Sequence, residues 1–122
     1  MSKEKLEVLN TAKDYMINLN NAIVRAAEYL QNGDYFNGTD LIISITDGLE
    51  WIVQLVTLRK DIYEEDMEVN KFTDNVKEVV EAFENEDYVL IGDLLQYEIS
   101  PIVEEYYDKT LLLLEGSNKD NL

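Results

Sequence analysis

Asn32-Gly33-Asp34-Tyr35, followed by Asp40-Leu41-Ile42, returns 53 residues later as Asn85-Glu86-Asp87-Tyr88, followed by Asp93-Leu94-Leu95. The apolar positions upstream return at the same offset. Met16, Leu19, Ile23, Ala26 and Leu30 correspond to Val69, Phe72, Val76, Val79 and Phe83. Spacings that alternate between three and four mark a helix lying along a bundle seam. In each copy a turn follows, and an Asp placed to cap a second helix. The chain therefore reads as all-α, an up-down four-helix bundle built from two pseudo-repeated helical hairpins.

Working outward, the pattern predicts a first helix from about residue 3 to 31, its seam running Leu9, Ala12, Met16, Leu19, Ile23, Ala26 and Leu30. Asn32-Gly33 ends it, since both tolerate a left-handed cap. Asp34 then caps a second helix expected over residues 35–61, with a broad apolar face from Leu41 and Ile42 to Val56. Gly38 and Gly48 fall inside that helix. Each costs about 1 kcal/mol relative to Ala there, and close packing is the expected reason. Ile62-Tyr63-Glu64-Glu65-Asp66 is the expected connection between hairpins. A third helix is predicted over residues 68–85. A fourth is predicted over 88–115, bent or split near Ser100 because Pro101 removes a backbone donor and restricts its predecessor. Gly116 is expected to end it. The domain so defined spans 1–116, with hairpin one at about 3–61 and hairpin two at about 68–115. Residues 117–122 are expected to form a flexible polar tail.

Composition narrows the function classes. At 122 residues with 46% apolar content, the chain can bury a core and is not a disordered acidic tail. No run reaches about 18 uninterrupted apolar residues, so no membrane span is expected. The start, Met1-Ser2-Lys3-Glu4-Lys5, has no apolar signal core. The absence of Cys removes disulfides and thiolate chemistry, and fits a cytoplasmic protein. The net charge of −16 is concentrated: residues 61–108 hold sixteen Asp/Glu against Lys71 and Lys77. That balance argues against nucleic acid, whose phosphates need Lys/Arg clusters. It fits either a solvated face or a basic protein partner.

Motifs for chemistry are lacking. With no His and no Cys, Glu-x-x-His di-iron pairs and Ser-His or Cys-His nucleophiles are excluded. An EF-hand with Gly38 at its centre would end on Ser44, which cannot supply the terminal carboxylate. Asp40 and Asp93 are candidates for paired-carboxylate catalysis, but both fall early in a helix, where the helix dipole favours them structurally. The expectation is a protein that is not an enzyme and that needs no cofactor or metal.

The apolar surface points elsewhere. Trp51, Leu55 and Leu58 form a second stripe on helix two, offset from its main face. Tyr97, Tyr106 and Tyr107 lie on helix four, and Tyr63 lies in the connection. Tyr and Trp anchor interfaces. Leu111-Leu112-Leu113-Leu114 cannot all point into one seam. Trp51, Leu55, Leu58, Tyr97, Tyr106, Tyr107, Leu111, Leu112 and Leu114 are thus the candidate interaction residues. They would line a groove between helices two and four that receives a partner protein, either basic or an amphipathic helix. The alternative is a homodimer that buries the same stripe.

The segment from Asn85 to Pro101, with its Asp87-Tyr88-Val89-Leu90, Asp93-Leu94-Leu95 and Tyr97-Glu98 phrases, resembles an uncharacterised family of small acidic all-helical proteins of Gram-positive bacteria. That resemblance implies a helical fold and carries no functional residues. Asn21-Ala22-Ile23-Val24-Arg25, with a second helix containing Ile45 to Leu55, is also similar in pattern to flagellin-type export chaperones. This likeness implies a flagellar or secretion export chaperone as a further alternative.

Overall fold

The computed structural model describes residues 1–65 and 67–120, with side chains through 116. Among these, every regular element is helical. The elements are α1 (Lys3–Gln31), α2 (Tyr35–Asp40), α3 (Ile42–Leu58), α4 (Val69–Glu84), α5 (Tyr88–Leu94), a π-helical turn (Leu95–Ile99) and α6 (Ser100–Asp120). Taken in four columns (α1; α2–α3; α4; α5–π–α6), they make an up-down bundle. Each column packs on its neighbours in chain order, and α1 closes the ring against α5 and α6.

The two corners are built alike. At the first, the Gly33 N–H donates to the Leu30 carbonyl at 3.2 Å and the Asp34 N–H donates to Tyr29 at 2.8 Å. At the second, Glu86 donates to Phe83 at 3.1 Å and Asp87 donates to Ala82 at 2.9 Å. This is the paired bonding of a Schellman cap, which needs one left-handed residue. Gly33 supplies it at φ 80°, and Glu86 supplies it at φ 54° despite its side chain. The Asp that closes each cap then opens the next helix. Asp34 accepts from the Asn37 N–H and Asp87 from the Leu90 N–H.

The second helix of each hairpin departs from α geometry near the same point, at Leu41 in the first copy and just past the matching Leu94 in the second. The first, expected from the sequence to be continuous, instead breaks at Leu41, whose N–H turns to the Gly38 carbonyl at 3.4 Å. Thr39 contributes by bonding its hydroxyl back to the Tyr35 carbonyl at 2.6 Å, a local bond that competes with the helix. In the second hairpin the chain widens instead. The Ser100 N–H donates to the Leu95 carbonyl, five residues back. Ile91, Leu95, Ile99 and Val103 are all buried. Their spacing of four would drift by about 40° per step on an α-helix. The wider turn absorbs that drift, and it also admits Pro101 without a split. Ser100 keeps helical angles, φ −56° and ψ −45°, contrary to the expected bias.

Two further boundaries move. The second column ends at Leu58 rather than 61, so the connection is longer than expected, and Asp66 within it lies outside the described residues. Gly116 does not end the last helix, whose backbone continues to Asp120. The remainder of the expected tail, residues 121–122, lies outside the described residues.

Close packing at the helix-two glycines is observed. A Cβ on Gly38 would stand 2.6 Å from Leu30 Cγ, and one on Gly48 would stand 2.8 Å from Leu19 Cδ1. The core runs the length of the bundle through Leu9, Met16, Ile23, Ile45, Leu49 and Ile91. The connection between hairpins belongs to it, because Ile62 and Tyr63 are buried. Tyr63 bonds Thr110 at 2.7 Å, and the Tyr106 hydroxyl donates to the Met67 carbonyl at 2.6 Å. Lys109 pairs with Glu65 at 2.9 Å.

Candidate interaction surface

The up-down order brings both corners to one end of the bundle and leaves the connection at the other. At the corner end Tyr35 and Tyr88 stack, with ring centroids 4.8 Å apart. The residues that follow them point out: Phe36 is 81% exposed and Val89 63%. Leu90 is also exposed. Both helices begin there with an Asp cap, so the apolar surface is bordered by Asp34, Glu86 and Asp87. Exposed aromatic and branched side chains gathered at one end are the kind of surface that marks interaction sites.

A groove of about 760 Å³ runs between α3 and α4. Val53, Val76 and Val80 form its apolar floor, and Glu50, Glu81 and Glu84 stand along it. Its upper end is lined by Asn85, the first residue of the second corner. The groove therefore opens toward the exposed corner surface.

The residues expected to line one groove do not converge. Helices two and four meet at their starts through Tyr35 and Tyr88, but along the rest of their length the described residues place them across the diagonal of the bundle, with α1 and α4 between. Trp51 is half-buried, its ring 4.4 Å from that of Tyr15 on α1. It shares a shallow depression between α1 and α3 with Val8 and Arg59. Leu55 is buried in the core, while Leu58 is exposed. Tyr106 is buried against Phe72, ring centroids 5.3 Å apart, and Tyr63 is likewise interior, so neither offers surface. Tyr107 lies between α1 and α6 beside Met16 and Ile17. Tyr97 is exposed on the π-helical turn. Leu112 is exposed, whereas Leu111, Leu113 and Leu114 are half-buried. Phe36, Ile43 and Val89 are the most exposed of the large apolar residues that the sequence reading missed. Their signal was present: Phe36 and Val89 occupy the same place in the two repeats and fall off the buried spacing of their helices.

Charge at the opposite end is organised around one cation. Arg59 donates to Glu4 through its two terminal guanidinium nitrogens, Nη1 and Nη2, and Nη2 also donates to Asp61 at 2.9 Å. Lys5 stands 3.8 Å from Asp61. Hydrogen bonding to Arg59 holds both carboxyls below their ordinary values and pushes Arg59 up. Burial pushes the Tyr63 hydroxyl up. Among the described residues, no group of three or more Asp and Glu gathers closely enough to hold a metal ion. Asp40 and Asp93 are both exposed.

Taken together, Tyr35–Leu58 is long enough to cross a membrane and contains an 18-residue window of mean hydropathy 1.5. In the bundle its inward side, from Ile42 to Val56, is core.

A small all-helical domain with exposed apolar surface, and without a metal cluster among its described residues, is the class this structure defines. The chain belongs to the family described as Domain of unknown function (DUF8042), whose model matches residues 7–109. No curated protein matches it, and no solved structure does.

Proposed function

We propose that this protein is a non-enzymatic, cytoplasmic protein-interaction module, an adaptor or chaperone-like partner binder that offers apolar surface beside carboxylates. The observation that carries this reading is the corner end. There two equivalent helix starts expose Phe36 and Val89, each next in sequence to one of the stacked Tyr35 and Tyr88. A core has no use for these side chains, and desolvating them against a partner is favourable. The acidic surroundings select partners of positive potential and repel a second copy of a chain with net charge −16.

The test is co-purification from the native host with wild-type protein and the Phe36→Asp/Val89→Asp variant. The reading expects a stoichiometric partner that the variant loses while keeping its helical circular dichroism. Identical partner sets for both proteins overturn it. A dimer that persists at low concentration in light scattering, and that the variant abolishes, would assign the surface to a twin.

A further inference from the structure

The groove between α3 and α4 has a shape and a charge pattern that define its occupant. We infer that it receives one amphipathic helix of about three turns, apolar on one side and flanked by Lys or Arg. This deepens the interaction-module reading and rests on it. Along α4 the groove is lined from Thr73 through Val76, Val80 and Glu81 to Glu84. Thr73, Val76, Val80 and Glu84 recur on one face at spacings of three and four, with Glu81 beside Val80. They cover about 16 Å at 1.5 Å per residue, the length of three helical turns. Val53 and Val80 are half-buried, so the floor keeps accessible apolar area for inserted side chains. This is the helix-in-groove mode, in which anchors at i, i+3, i+4 and i+7 enter a hydrophobic channel.

The rims decide the partner's chemistry. Glu50 stands on the α3 side, with Glu81 and Glu84 on the α4 side; Lys77 is the one cation among the lining residues. Outside the groove, α4 also carries exposed Asp74 and Glu78. A helix with basic flanks meets opposite charge on both sides. A second copy of this chain would bring its own carboxylates to the same place, and like charges across an interface oppose docking. The open, elongated form suits a helix.

The probe is a synthetic 14-residue helical peptide with Leu at the anchor spacing and Lys on both flanks, compared with the same peptide carrying Glu for Lys. Amide chemical-shift mapping on the full chain should place the Lys peptide along residues 50–54 and 73–85. Val80→Asp and Glu81→Lys/Glu84→Lys should each weaken it at least tenfold. The second variant changes only exposed side chains, so its loss of binding is not a loss of fold. Phe36→Asp/Val89→Asp should bind the peptide as wild type does. Equal binding of the Glu peptide, or shifts elsewhere, overturns the groove assignment. If shifts gather only at the corner residues, the groove fails while the interaction reading stands. A partner lost from Phe36→Asp/Val89→Asp in co-purification, with no peptide binding anywhere, separates the two in the same way. A dimer disrupted by Val80→Asp would make a second copy the occupant and overturn the inference.

Discussion

Tyr35 and Tyr88 occupy the same position in the two halves of the chain, and they stack on each other with their planes inclined at 27°. The repeat is therefore a contact as well as a resemblance, since its two copies meet through their own equivalent residues. Aromatic pairs in this arrangement contribute about 0.5–1.5 kcal/mol beyond area burial. A double-mutant cycle with Tyr35→Leu and Tyr88→Leu, read by urea unfolding, should return a coupling in that range. Additive losses would show that the rings are merely adjacent.

The corners differ in how they reach the left-handed conformation. Gly33 adopts it freely, whereas Glu86 holds φ 54° against its own Cβ. A non-glycine residue there costs about 1–2 kcal/mol. Glu86→Gly should raise the urea unfolding midpoint, for a net gain in stability of about 1 kcal/mol once the greater freedom glycine gives the unfolded chain is subtracted. Gly33→Ala should lower stability by a similar amount. The structure leaves open space around the Gly33 Cβ position, so that loss would be purely conformational.

Close approach sets the third expectation. A methyl on Gly48 would press on Leu19 Cδ1 at 2.8 Å and on the Tyr15 hydroxyl at 3.1 Å, whereas one on Gly92 meets Leu30 Cβ at 3.3 Å. Overpacking a tight core costs about 1–3 kcal/mol. Gly48→Ala should therefore destabilise in thermal unfolding, and Gly92→Ala should destabilise less. A gain in stability for Gly48→Ala would mean that α3 moves outward at little cost.

Arg59 sets a pH dependence. Its hydrogen bonds lower the folded-state values of Glu4 and Asp61 from 4.5 and 3.8. A depressed carboxylate contributes stability above its unfolded value and loses it as pH falls through the folded one. Wild type should thus exceed Arg59→Met in stability at neutral pH, and the gap should close as pH falls below about 4. A gap unchanged down to pH 2 would mean that the guanidinium acts through packing. Glu4 and Asp61 are exposed and Arg59 is only half-buried, so added salt should narrow the gap as well.

Much of this fold is legible in the residues. Asn32-Gly33-Asp34 and Asn85-Glu86-Asp87 mark both corners because cap chemistry is local, and the seams are visible because periodicity is local. The neighbour relations of the helices are not legible. Helix two carries two apolar stripes, which shows that it needs two neighbours but not which two. Assigning one of them to helix four put Trp51 and Tyr107 on a common groove, whereas α1 stands between them. Tyr63 and Tyr106 read as surface because tyrosine is a residue that anchors interfaces. Their hydroxyls find partners inside, Thr110 and the Met67 carbonyl, and buried tyrosines need such partners. The π-helical turn left a faint trace in the repeated spacing of four from Ile91 to Val103. Gly116 was misread because a glycine within a helix costs only about 1 kcal/mol, which the last helix tolerates.

The pinned connection has a consequence for assembly. Two copies of a duplicated bundle could exchange hairpins, each lending its second half to the other, because the halves present equivalent surfaces. The segment between α3 and α4 would have to serve as the hinge and swing out straight. Tyr63 reaches from that segment into α6, and Tyr106 reaches from α6 back to it. Opening the hinge would break both bonds and expose Ile62. The reciprocal tyrosine bonds thus weigh against such an exchange, since an opened hinge forfeits both of them.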